Sequence, residues 1–133
     1  MDKVMSFQLP SDNFEISKDF YAKVFSWQVA EVPVEMDGGK GIYTTITTTK
    51  VDPSTFQPIE TGAINGAIIG RAGKLSGPII IANVASIDRT FEKVADVGGT
   101  IIEPKREINK MGFYAYVADP EGNVIGLWED VAK

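Results

Sequence analysis

The sequence predicts an α+β fold built from two similar halves, each running strand, helix, strand, strand, strand. Three observations predict it. Stretches of period-two alternation, bounded by Gly and Pro, recur in the same order around two helical stretches. The first strands of the halves lie 73 residues apart, Ser6 against Ile79, and the last strands 60 apart, Gly66 against Gly126, because the first half carries the longer loop. Both last strands also hold an internal glycine at what reads as the same place, so duplication explains the pattern better than coincidence.

In the first half, VMSFQLP alternates from Val4 to Leu9 and is expected to stop at Pro10. SDNFEISKDFYAKVFSW follows as a helix over about 12–25, capped by Ser11 or Asp12, with Asp12 and Glu15 at capping-box spacing. Phe14, Phe20, Tyr21, Val24 and Phe25 form an apolar stripe at helical spacing, and Trp27 reads as a core residue. WQVAEVPV is a strand and IYTTITTT another. Between them, Asp37 to Gly41 (DGGKG) lacks the spacing and the following helix of a phosphate-cradling loop, and reads as a hairpin turn. KVDPSTFQPIETG is a loop, AINGAIIG a short strand and RAGKLSG a linker.

In the second half, PIIIANV is a strand and SIDRTFEKVADV a helix over about 87–97, stopped by Gly98-Gly99. TIIEP is a strand, KREINKM a loop, and GFYAYVADPEGNVIGLWE, from Gly112 to Glu129, a hairpin turning on Asp119 to Asn123.

Composition narrows the chemistry. At 133 residues, 44% hydrophobic and 23% charged, the chain reads as one globular domain, 1–133, with modules over 4–70 and 78–130. A net charge of −5 without a basic run argues against nucleic acid. Cysteine and histidine are both absent, so no thiolate or imidazole can serve as nucleophile, base or metal ligand. The N-terminus lacks a signal-peptide core and no apolar run has the length of a membrane span, so a soluble, cytoplasmic protein is expected.

The order of elements, the FYAKVFSW helix end, the ADVGGTIIEP step and DPEGNVIGLWE resemble the vicinal oxygen chelate superfamily, which includes glyoxalase I, bleomycin-resistance proteins and extradiol dioxygenases. The resemblance spans about Val4 to Glu129. It implies two βαβββ modules forming an eight-stranded cupped mixed sheet with flanking helices, a ligand held in the cup, and a homodimer. Metal-dependent members take one ligand from the first and one from the last strand of each module. Carried onto this chain, those places fall on Ser6, Gly66, Ile79 and Gly126, none of which supplies a strong ligand. Glu129 is three residues beyond Gly126, an odd offset that turns it to the opposite face of the strand.

Strand parity then proposes the ligand contacts. Ser6 and Gln8 oppose Met5, Phe7 and Leu9; Tyr114 pairs with Tyr116; Tyr43 aligns with Thr45 and Thr47; Asn83 shares a face with Ile79 and Ile81; Trp128 shares one with Val124 and Gly126. Glycines at 66 and 126 are expected to clear the cup floor for an organic molecule, and Trp128 could stack a flat one. The leading expectation is a protein with neither metal nor cofactor that binds a small apolar or aromatic molecule. The alternatives are a glyoxalase-type lyase or isomerase using a non-histidine site, for which a buried cup carboxylate would be the signature, and an accessory interaction module, for which a filled cup would be.

Overall fold

The structure, a computed structural model, describes residues 1–36 and 39–131. Its elements are β1 (Val4–Ser11), α1 (Phe14–Phe25), β2 (Gln28–Met36), β3 (Gly39–Thr47), β4 (Asn65–Gly70), β5 (Ile79–Asn83), α2 (Ile87–Asp96), β6 (Thr100–Ile108), β7 (Gly112–Ala118) and β8 (Val124–Asp130). The expected order βαβββ therefore occurs twice, and the fold class is the α+β one anticipated. Asp37 and Gly38, the first two residues of the DGGKG turn, lie outside the described residues; Met36 and Gly39 pair across them.

The eight strands run β1-β4-β3-β2-β6-β7-β8-β5 and close into a barrel. The two seams differ. β1 and β5 pair antiparallel from Val4 to Gln8, whereas β2 and β6 meet at one pair, Met36 with Ile108. Asn109 lengthens that thin seam: its backbone N–H donates to the Glu35 carbonyl at 2.6 Å, and its side-chain oxygen accepts from the Glu35 N–H at 2.7 Å.

Several boundaries differ from the sequence reading. Pro10 does not stop β1, which pairs with β4 as far as Ser11 while its pairing with β5 ends at Gln8. The missing proline N–H is tolerated where one side of a strand is open. KREI, read as loop, continues β6 to Ile108 through register shifts around Pro104. The cap of α1 is Asn13, whose side chain accepts from the Ile16 N–H at 3.2 Å. Ser11 instead bonds the Ser17 hydroxyl, and Asp12 pairs with Arg71. The RAGKLSG segment is more than a linker, because Leu75 folds back and is buried.

Two cores result. Beneath α2, on the outer face, Val84, Ile87, Ala115, Val117 and Leu127 cluster with Phe91, Val94, Phe113 and Ile125. Inside the barrel, Leu75, Ile79, Ile81 and Tyr116 form a plug flanked by Met5, Ile69 and Val124.

The β1–β5 register also fixes how the modules correspond. Phe7 faces Ile80, with Ser6 opposite Ile81 and Gln8 opposite Ile79, so a two-fold through the Phe7–Ile80 pair maps Ser6 onto Ile79 and Gln8 onto Ile81. Gln8 lies beside Ala67, and Ile81 beside Gly126. The counterpart of Gly126 is therefore Ala67, not Gly66 as read from the sequence. That slip of one residue moves a side chain to the other face of the sheet.

Candidate functional site

The barrel encloses a cavity of about 540 Å³ lined from both modules. Alternation of β1, β3, β7 and β8 points Gln8, Tyr43, Thr45, Tyr114, Tyr116 and Trp128 towards it. Val34, Ile69 and Ile81 supply apolar wall, and the exposed side chains of Ile42, Phe56 and Met111 contribute to its edge. None of the described Asp, Glu, Lys or Arg residues lines it.

Six of the nine residues predicted from the sequence meet here: Ser6, Gln8, Tyr43, Tyr114, Tyr116 and Trp128. Gly66, Asn83 and Gly126 do not line the cavity. A Cβ on Gly66 would lie 2.4 Å from the Phe7 carbonyl oxygen and 2.8 Å from the Phe7 ring. Its bare backbone leaves room for the Phe7 ring beside it, where β1 and β4 pair in parallel. The space over Gly126 is already taken, since a Cβ there would lie 2.3 Å from Ile81 Cδ1. The expectation that both glycines clear a ligand floor is thus corrected: each receives a neighbouring side chain. Asn83 sits at the end of β5 and donates to the Trp128 carbonyl at 3.2 Å and to Asp130 at 3.4 Å, tying down the end of β8.

The polar centre joins three side chains. Gln8 Nε2 donates to the Tyr43 hydroxyl at 3.2 Å, and the Tyr116 hydroxyl donates to Gln8 Oε1. Burial pushes both phenols above their ordinary range, Tyr43 against a lowering bond from Gln8, and Tyr116 further by its proximity to Tyr43. Both therefore stay protonated at neutral pH. Tyr114 meets Tyr116 edge-on with ring centroids 6.2 Å apart. Trp128 lies over the bare Gly112 backbone and donates from Nε1 to Asp130 at 2.9 Å.

Glu129, the acid at the end of the last strand, faces away from this cavity. Its Oε1 accepts from the Ile87 N–H at 2.6 Å, at the first turn of α2, and Lys105 lies 3.8 Å from its Oε2. It is an anchor for the helix N-terminus. Asp119 likewise serves its turn. Bonds from the Asn123 side chain and backbone and from Glu121 N–H hold its carboxyl below the usual range.

The places at which metal-dependent members of the resembled superfamily hold their ion are, with the register corrected, Ser6, Ala67, Ile79 and Gly126. One hydroxyl, two alkyl groups and a bare backbone do not fit a transition metal. Among the described residues no three Asp or Glu side chains come together either. Sequence reasoning missed the apolar wall from β2, because Val32 and Val34 read as an ordinary alternating strand and Met36 lies beyond its expected end. It also missed Asn109 and Met111, because KREINKM reads as a loop.

Three comparisons place this geometry among known proteins. The family model described as "Glyoxalase/Bleomycin resistance protein/Dioxygenase superfamily" matches residues 3–127. The "Putative glyoxylase CFP32" of Mycobacterium bovis and of Mycobacterium tuberculosis is 29% identical over 115 residues, which is 85% of this chain and 40% of the mycobacterial protein. The chain thus spans well under half the length of those relatives. Among solved structures, Streptomyces coelicolor methylmalonyl-CoA epimerase aligns with a TM-score of 0.60 at 14% identity, over 98% of each chain. A glyoxalase I mutant from Zea mays aligns with a TM-score of 0.63 at 14% identity, over 99% of this chain and 45% of that one. At such identities the structural likeness speaks for the fold alone.

Proposed function

The chain belongs to the glyoxalase/bleomycin resistance protein/dioxygenase superfamily, and from that premise we propose that it binds a small organic molecule in the barrel cavity without a metal ion or cofactor. The observation that carries this reading is the cavity itself. It has room for a ligand, about 540 Å³, yet its wall is apolar and the four places of the superfamily's metal ligands hold none. The accessory-module reading would need a filled interior. The lyase or isomerase reading would be favoured by a cavity carboxylate with a displaced pKa, and none of the described carboxylates lines the wall.

The test uses 1-aminoanthracene, a neutral fluorescent probe, on the full chain. Saturable binding near one site per chain is expected, with loss on Ser6→Phe, which fills the cavity, and no change on treatment with EDTA. Probe binding that persists unaltered in Ser6→Phe would place the ligand elsewhere. Elemental analysis finding one tightly held transition metal per chain would refute the metal-free reading.

The same proposal includes a homodimer through α1. Ile16, Phe20 and Val24 form a straight i, i+4, i+8 stripe that is more than half exposed. Lys18 and Lys23 on that helix are already paired with Glu15, Glu31 and Asp19, so two copies would meet with little charge repulsion. A two-fold pairing of one apolar helix face with itself is self-complementary. Light scattering at micromolar concentration should give twice the 14.5 kDa chain mass, and Phe20→Lys should give the monomer. A monomeric wild-type chain would remove the dimer, as would a Phe20→Lys variant that still pairs.

A further inference from the structure

This inference rests on the cavity being the ligand site and names the chemistry of its ligand. Gln8, Tyr43 and Tyr116 all line the cavity, and Gln8 and Tyr116 are buried. Together they carry four polar protons: two on the amide and one on each phenol. Two are used between them, from Gln8 Nε2 to Tyr43 and from Tyr116 to Gln8 Oε1. Two donors are left over, one amide N–H and the Tyr43 O–H. Turning the Gln8 amide over changes which phenol keeps its proton but not the count. The ordinary titration range of both phenols is raised, so neither proton is lost at neutral pH. Among the described residues no hydrogen bond besides the Gln8–Tyr43 and Tyr116–Gln8 bonds involves the Gln8 amide or the Tyr43 hydroxyl. Thr45 donates to the Ala30 carbonyl at 3.3 Å, and Asn109 is committed to Glu35 and Met111.

Charge supplies the second half of the argument. None of the described Lys, Arg, Asp or Glu residues lines the wall. An anionic ligand would lose its hydration there without a cation to replace it, and a cationic one would meet donors where it needs acceptors.

We infer that the cavity takes a neutral, largely apolar molecule bearing a carbonyl oxygen, which accepts from the Gln8 amide and the Tyr43 hydroxyl, and that it discriminates against carboxylates and protonated amines. A ketone, aldehyde, ester or quinone meets that description. The apolar walls contribute affinity, and the Tyr43–Gln8–Tyr116 chain sets orientation.

Three matched naphthalene probes test it by calorimetry: 2-acetylnaphthalene, 2-ethylnaphthalene and 2-naphthoate. The ketone should bind about tenfold more tightly than the hydrocarbon, the yield expected of two neutral hydrogen bonds. The carboxylate should bind most weakly. Gln8→Glu keeps the side-chain shape but offers a carboxylate that accepts from both phenols. It should bring the ketone down to the level of the hydrocarbon while the hydrocarbon still binds. If Gln8→Glu does not fold, Tyr43→Phe takes its place, and the ketone preference should fall several-fold. Equal binding of ketone and hydrocarbon by the wild type would overturn the donor assignment and leave the cavity reading standing. Tightest binding of the carboxylate would overturn it as well, and so would a ketone preference unchanged in the variant used. Failure of all three probes to bind would remove the cavity as a ligand site and this inference with it.

Discussion

The two helices occupy corresponding places in the two modules and are seated in opposite ways. α2 anchors Ile87, with no exposed surface, into a bed of Val84, Ala115, Val117 and Leu127, and Phe91 and Val94 pack against the same bed. Its N-terminus is held by Ser86 and by the Glu129 carboxylate. α1 buries none of its residues. Its strand bed offers Gly66 and a Phe7 ring, and the helix rests on it through an aromatic group in which Trp27 lies 5.9 Å from Phe7 and 5.5 Å from Tyr21 between ring centroids. Apolar content does not separate the helices, since α1 carries more of it. What separates them is the shape of the strand surface below. Aliphatic side chains admit knobs, whereas a glycine covered by a ring presents a flat surface.

The largest expected effects follow from that contrast. Ile87→Ala should cost about 2–5 kcal/mol in a denaturant melt, as large-to-small changes at closed sites do. Phe20→Ala on α1 should change the stability of the single chain by less than about 0.5 kcal/mol. Equal losses at both positions would erase the distinction between the helices.

The glycines sharpen it. Gly66→Ala must displace backbone, because the Phe7 carbonyl oxygen stands 2.4 Å from the new Cβ, whereas Gly126→Ala need only turn the flexible tip of Ile81. Gly66→Ala should therefore be the costlier, toward the upper end of the roughly 1–3 kcal/mol of overpacking, with Gly126→Ala toward the lower end. Urea midpoints compared at constant slope would test the order, and the reverse order would mean that β1 and β4 separate more easily than the packing indicates.

A smaller change is expected at the helix anchor. Glu129→Gln keeps the shape but removes the charge at the first turn of α2, for a loss of about 1 kcal/mol. Because Lys105 is near, high salt should shrink the loss.

Inside the barrel, by contrast, both modules contribute a phenol that burial holds protonated, Tyr43 from one and Tyr116 from the other. In an alkaline titration followed by phenolate absorbance, at least two of the four tyrosines should ionise above the ordinary phenol value of about 10. The sign follows from linkage. A phenol whose folded pKa is raised stabilises the fold fully below its unfolded value near 10 and loses that contribution as pH climbs towards the folded value. Tyr43→Phe should flatten part of this alkaline loss.

The doubled βαβββ order, the two helices, the glycine stop at Gly98 and the turn at Asp119 were all legible from the residues. Each of these rests on local rules: a period of two or 3.6, a cap, or a residue tolerant of positive φ. The absence of histidine was also legible, since it needs no coordinates, and neither Gly66 nor Ala67 carries a side chain that could ligate, whichever of them matches Gly126. Tertiary structure alone decided the rest. Which face of β4 looks inward depends on pairing with β1, and a period-two element gives no absolute phase when glycine and alanine are neighbours. Whether an apolar helix is buried depends on the bed beneath it, which for α1 comes from residues as distant as Gly66. The Gln8–Tyr116 bond spans 108 positions; alternation could place both side chains inside the barrel, but only its closure brought them within reach of one proton.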